Sequence, residues 1–373
     1  MLPSTITFYK LEEFGFYRKN REKYPDRFFG DVNSVFGDFS NWLAAQENLG
    51  STCTFEVDKE EGGQNTYCKD YYKHDDGNEY VFILWNEMSN ADNKIFAMPK
   101  TAKVGSNGVK EPKTEDDDII GLPSYFWFIP DMDIFAVVYF KHSVSNIKAM
   151  QQYIKEYCHA HSSFISLDEK GMTYYNDGTA DKAKYRFRFN HKKIVNNSKR
   201  SKLVDTPDKI TEIVRKVEIP KVITDPRNKI RRAMNAIQIG LRRVVPDFLM
   251  EGDEQPKEIN DINEALKKAS KQIIEVRIPF SGDADTINYI LDKYDENFEE
   301  SATQKLGFKV KGDPNVVWLN ESVIKTEVEL DVEISEDSLP TAVDIMTAIS
   351  AKRDIILQVL NESDEVKDDK VAV

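Results

Sequence analysis

The alternation of apolar and polar positions divides this chain into short strands and a few amphipathic helices. Thr5 to Tyr9 follows the two-residue period of a strand, and Phe14 to Arg18 predicts a second. From Asp31 to Leu49 the residues Val32, Val35, Phe36, Phe39, Trp42 and Leu43 recur at helical spacing. Strands are expected at Cys53 to Val57 and Tyr80 to Asn86, around a polar loop from Asp58 to Asn78, with another near Lys94 to Met98. Pro99 to Asp118, rich in Gly, Lys, Thr and Asp, reads as a mobile loop. The strongest apolar block, Ile119 to Phe140, reads as a hairpin turning at Pro130-Asp131-Met132-Asp133, with both strands apolar enough to be central in a sheet. Ser145 or Asn146 can cap the helix that follows, which runs to about His159.

Beyond residue 160 the pattern is largely β up to 223, with strands near Ser163 to Leu167, Lys184 to His191 and Arg215 to Ile219. Asp225 and Pro226 open a helix that reaches about Val245, and Met250 to Ile262 reads as an acidic connector. Strands near Ile273 to Phe280 and Val323 to Ile334 flank a helix from about Asp285. A long C-terminal helix is expected from Pro340 to Leu360, with Val343, Met346, Ile349, Ile356 and Leu360 as its stripe. The pattern therefore predicts an α+β fold of mixed or antiparallel sheets with helices, in two domains. The first spans residues 1–160, the second spans 161–360 and carries a basic surface at 182–243, and 361–373 is a charged tail.

Composition narrows the class. With 40% apolar residues and 11% aromatics the chain is globular and not disordered. Tyr125 to Phe140 is the longest apolar stretch, and Pro130, Asp131 and Asp133 break it, so no membrane insertion is expected. The N-terminus lacks the basic start and apolar run of a signal peptide, and three cysteines without CxxC spacing favour a reducing, cytoplasmic setting.

Charge changes the picture most. The net charge is -13, yet between Lys182 and Arg243 there are 19 Lys and Arg against 5 Asp and Glu. Such separation within one acidic chain points to an anionic partner. Lys182, Lys184, Arg186, Arg188 and Lys192 share even positions, while Tyr185, Phe187 and Phe189 fall between them. On a strand this places aromatics on one face and a row of cations on the other, advancing roughly 6.6 Å per pair of residues, close to the spacing of successive phosphates. In the helix after Asp225, Arg227, Arg231, Arg232, Arg242 and Arg243 line a face free of acidic residues. Both elements together predict sequence-nonspecific nucleic-acid binding, with double-stranded DNA the expected ligand. An ordinary solvated basic face, or one docked on an acidic protein partner, is the alternative.

No catalytic signature accompanies this. Gly-rich phosphate loops, GxSxG and HExxH are absent. Pro130-Asp131 with Asp168-Glu169-Lys170 has the outline of a metal-dependent nuclease, although both segments also read as polar turns. Cys158-His159-Ala160-His161 offers three metal ligands but no second pair at zinc spacing, and reads as a helix end. No cofactor is implied. The late apolar stripe packs into its own domain or forms a homodimer seam.

One block has a familiar outline. Ile120-Gly121-Leu122-Pro123-Ser124-Tyr125-Phe126 after acidic residues, then a turn and Asp133-Ile134-Phe135-Ala136, resembles the RexA-like phage-exclusion proteins. Gly15-Phe16-Tyr17, Val217-Glu218-Ile219-Pro220 and Asp354-Ile355-Ile356-Leu357 follow in similar order. The resemblance implies a dimeric DNA-binding sensor of abortive infection that signals to a separate effector. The chain is longer and more acidic than that pattern, and no functional residue is carried over.

Overall fold

A computed structural model describes residues 1–18, 27–57, 64–74, 78–88, 96–110, 118–167, 173–176, 185–219, 272–297, 304–319 and 322–362. In chain order the elements are β1 (Leu2–Arg18), β2 (Arg27–Phe29), α1 (Val32–Ala44), β3 (Thr66–Lys73), β4 (Tyr80–Glu87), β5 (Phe96–Pro99), β6 (Asp118–Ile129), β7 (Ile134–Tyr139) and α2 (Ile147–Ala160). The ribbon strands β8 (Ile165–Leu167) and β9 (Thr173–Tyr175) precede β10 (Tyr185–Lys193), α3 (Asn197–Asp205), β11 (Ile210–Ile219) and β12 (Gln272–Pro279). Then come α4 (Ala284–Asn297), β13 (Gln304–Val310), β14 (Val316–Trp318), β15 (Lys325–Leu330), α5 (Ala342–Ser350) and α6 (Arg353–Gln358). Helices with antiparallel sheets make this an α+β protein. It divides into two compact units, Met1–Ile194 with Lys325–Asn361, and Val195–Ile324 with Glu362–Val373. The first unit thus runs past residue 160 to take in β10, because β10 pairs with β1 from Tyr9 to Arg18.

The first unit is built on an antiparallel sheet in the order β10-β1-β7-β6-β4-β3. β1 organises it. Along one side β1 pairs with β7 and, at Phe16 and Tyr17, with β2; along the other it pairs with β15 and then β10. The two strands expected in the first eighteen residues are therefore one, and a bulge between Leu11 and Glu13 absorbs the extra residue. α1 and α2 cover one face, where Phe36 meets Phe14, Tyr80 and Phe128 edge-on at 5.9, 5.2 and 4.8 Å between ring centroids. Edge-to-face pairs of this kind add roughly 0.5–1.5 kcal/mol each beyond area burial. Val81, Ile83 and Trp127 point the other way and are fully buried too. α5 lies against β3 and β4, and burial on both faces explains why β4 and β6 read as near-continuous apolar runs.

The hairpin β6–β7 turns at Pro130–Met132, with Asp133 in the left-handed region at φ 50°, and Asn146 caps α2 through the amide of Ala149. Elsewhere the pattern misled. Cys53 to Val57 is no strand, whereas Thr66–Lys73, inside the expected polar loop, is β3. Residues 99–110 of the expected mobile loop are fastened: the Val109 amide donates to the Asp337 carbonyl and the Leu339 amide to that of Asn107, both at 2.9 Å.

The long C-terminal helix is replaced by two short ones. Thr341 and Asp344 form a capping box that starts α5, which ends at Ser350. Lys352 then leaves the helical region at φ -126°, ψ 12°, its ammonium donating to the Glu329 carbonyl, while Arg353 bonds the carboxylate of Glu79. Met346, Ile349, Ile356 and Leu360 are buried in their own unit, whereas Val343, part of the expected stripe, is 48% exposed.

In the second unit the sheet order is β12-β11-β13-β14, all antiparallel. Asp283 accepts from the Thr286 amide at the start of α4, and Ile287, Ile290 and Tyr294 of that helix pack with Ile213, Leu306 and Phe308 of the sheet. The α3–α4 pair completes this layer.

Candidate nucleic-acid interface

β10 has the alternation its sequence requires. Tyr185, Phe187 and Phe189 are buried in the aromatic cluster beneath α1 and α2. Arg186 and Asn190 are exposed, and Arg188 and Lys192 are partly so. Of the expected row, Arg186, Arg188 and Lys192 thus fall on one side of β10, and they are not equivalent.

Arg188 is held within the protein. Its Nη1 donates to Glu13 Oε1 at 2.5 Å, and its guanidinium lies 5.2 Å over the ring of Tyr17. Asn190 donates to the other oxygen of Glu13. Glu13 reaches both because it faces Asn190 across the strand pair, two positions along from the Gly15–Arg188 pairing. Tyr17 is buried at 6% exposure, and its hydroxyl accepts from the Phe14 amide at 3.2 Å. Burial raises the Tyr17 pKa, while Arg27 and Arg188 oppose that rise. The side chain of Arg27 lies across Gly15: a β-carbon there would approach its Cδ to 2.6 Å. At φ 130° that position also requires glycine.

Around this centre the sheet gathers cations that sequence inspection did not group. Lys10 faces Lys192 in the β1–β10 register. Arg27 pairs opposite Tyr17 on the other side of β1. At the end of β10, Phe28 stacks on Tyr185 (centroids 4.9 Å apart, planes 23°), and the guanidinium of Arg18 lies 5.2 Å over Phe28. Phe28 is 43% exposed. Lys10, Arg18 and Arg27 were missed because they stand more than 150 residues before β10; a strand-pairing hypothesis for the first eighteen residues is the signal that would have found them.

Of the other expected contacts, Lys182, Lys184, Arg227, Arg231, Arg232, Arg242 and Arg243 lie outside the described residues. The five arginines fall in the stretch that joins the adjacent ends of β11 and β12, where Ile219 faces Gln272.

Asp131 is exposed in the β6–β7 turn, and Asp168, Glu169 and Lys170 lie outside the described residues. Cys158 is fully buried in the α2 core, and burial pushes its thiol well above the usual range. His159 instead meets the ring of Tyr175, and His161 packs on Trp42 at 5.2 Å, so the three donors diverge. Among the described residues no three His, Cys, Asp or Glu are placed to hold a metal, and no helix is long and apolar enough to cross a membrane.

Fold and site together define an α+β protein with a basic sheet face. The sequence matches no protein-family model, and no curated protein is significantly similar to it.

Proposed function

We propose that this protein binds nucleic acid without reading its sequence, through the cationic face of β1 and β10. The observation that supports this is the placement of Arg186 and Lys192 on one side of the same strand, with Lys10 opposite Lys192. Each phosphate neutralised releases condensed counterions, which makes affinity fall steeply with salt. Arg188 is held back from such a ligand because Glu13 offsets its charge. Arg227, Arg231, Arg232, Arg242 and Arg243 belong to the same reading as a second basic element. The likeness to RexA-like proteins extends it to a role: an intracellular sensor of phage DNA, acting as a homodimer and signalling to a separate effector. The free thiols of Cys53, Cys68 and Cys158 are compatible with a reducing compartment.

The test is fluorescence anisotropy with labelled DNA across a salt series, comparing wild type with Arg186→Glu/Lys192→Glu. Wild type should bind at low salt with a steep log–log slope, and the double variant should lose at least about tenfold in affinity and about 2 from the slope, one ion per lost contact. Absence of binding by wild type at low salt would refute the proposal and leave an acidic protein as the partner to seek.

A further inference from the structure

We infer that the seat of α5 on β3 is a pH-sensitive joint: Lys69 is enclosed beneath the helix without a hydrogen-bond partner, so the joint tightens when that lysine loses its proton. β3 shifts register against β4 between Cys68, opposite Leu84, and Asp70, opposite Ile83, which leaves Lys69 as the extra residue of a bulge. A bulge re-aims side chains, and here two successive ones reach the same helix. Asp70 accepts from the Ala342 amide at 2.6 Å, and the carboxylate of Asp344, in the first turn of α5, is near enough to act on the charge of Lys69.

Lys69 has no exposed surface, and its Nζ makes no hydrogen bond. An ammonium so placed loses its hydration with nothing in return beyond the field of its neighbours, so the charged form is disfavoured. The charged and titratable groups facing it are Asp70 and Cys68 on its own strand and Asp344 on α5; Leu84 and Ile83 across the ladder are apolar. Burial outweighs those three and pushes the lysine down from 10.5 to about 8. Between these two values the folded protein binds fewer protons than a state in which α5 has lifted and Lys69 meets water. Raising the pH through that window therefore favours the closed joint, and lowering it toward 8 loosens it. The thiol of Cys68 works the other way. Burial holds it well above 9.0, so it titrates first in the opened state and favours opening at high pH. Replacing Lys69 separates the two effects.

The experiment is hydrogen exchange of the α5 amides, read by mass spectrometry on the full chain from pH 7.5 to 9.5 and corrected for the intrinsic pH dependence of exchange. Lys69→Met keeps an unbranched side chain without its charge. At pH 7.5 it should slow α5 exchange at least about tenfold relative to wild type. That advantage should shrink about tenfold or more by pH 9.5, since each pH unit between 8 and 10.5 changes the opening equilibrium by about tenfold. Cys68 is common to both proteins and cancels in the ratio. Exchange in the variant as fast as in wild type at pH 7.5, or a ratio that does not move with pH, overturns the inference. Wild type alone gives a second reading that does not depend on the variant folding. With 13C-labelled lysine, one side-chain resonance should titrate with a midpoint near 8. Absence of any lysine midpoint below about 9.5 overturns the inference as well.

Discussion

Arg188 on β10 and Glu13 on β1 meet at 2.5 Å, on the strand face that Arg188 shares with Arg186 and Lys192. The side chains are 12% and 20% exposed, so the pair is partly desolvated and holds Arg188 more firmly than a surface ion pair would. Glu13→Gln keeps an acceptor for Asn190 but releases the charge of Arg188. If the face binds nucleic acid, this variant should bind about 2- to 10-fold more tightly at low salt, with a slope steeper by about 1. Unchanged affinity and slope would show that Arg188 lies off the path of the ligand.

Gly15 makes a second test of the same region. Its φ of 130° is outside the range of other residues, and a β-carbon would sit 2.6 Å from both Arg27 Cδ and the Gly30 carbonyl oxygen. Gly15→Ala should cost about 2 kcal/mol or more, measured by urea unfolding, because both backbone and neighbour must shift. A loss below about 0.5 kcal/mol would mean that β2 moves aside freely.

How much of this was legible depends on where the partners lie. The cationic row on β10 was readable because alternation is a local property of Tyr185 to Lys192. Its neutralising Glu13 was not, standing 175 residues away in the chain. The hairpin β6–β7 and helix α2 were readable from a proline turn and an asparagine cap. β3 was not, because Lys69 and Asp70 interrupt its apolar pattern: Lys69 is fully buried at a register shift, and Asp70 accepts from the Ala342 amide at the start of α5. The break between α5 and α6 likewise depends on Glu329 and Glu79, which no local pattern around Lys352 could show.

Glu79 joins distant parts of the first unit. One oxygen accepts from Trp127 Nε1 at 2.9 Å, and the other receives Arg353 at 2.7 and 2.8 Å. The carboxylate is 7% exposed. Glu79→Ala leaves a buried indole donor and a guanidinium without their acceptor, so it should destabilise by about 3 kcal/mol. Glu79→Gln, which keeps an acceptor, should cost less. Equal losses for the two, by urea unfolding at pH 7, would show that the charge of Glu79, which both variants remove, and not its hydrogen bonding or volume sets the effect.

Two half-buried histidines should make the protein acid-labile before its carboxylates titrate. His142 stacks on Phe140, and its Nε2 lies 3.1 Å from the hydroxyl of buried Tyr125. His191 is ringed by Tyr9, Phe135 and Phe189, its Nδ1 has no hydrogen-bond partner, and Lys155 and Lys193 stand nearby. Burial pushes both down from 6.5 to about 4, helped at His191 by the two lysines. The folded state therefore binds fewer protons than the unfolded chain between about pH 6.5 and 4. Stability is fully present above pH 6.5 and is lost as pH falls toward 4, by on the order of 2–3 kcal/mol for each histidine. His191→Phe suits the surrounding rings and removes one titrating group, so its urea midpoint should fall less than that of wild type between pH 7 and 5. Parallel losses in the two proteins would place the acid sensitivity elsewhere.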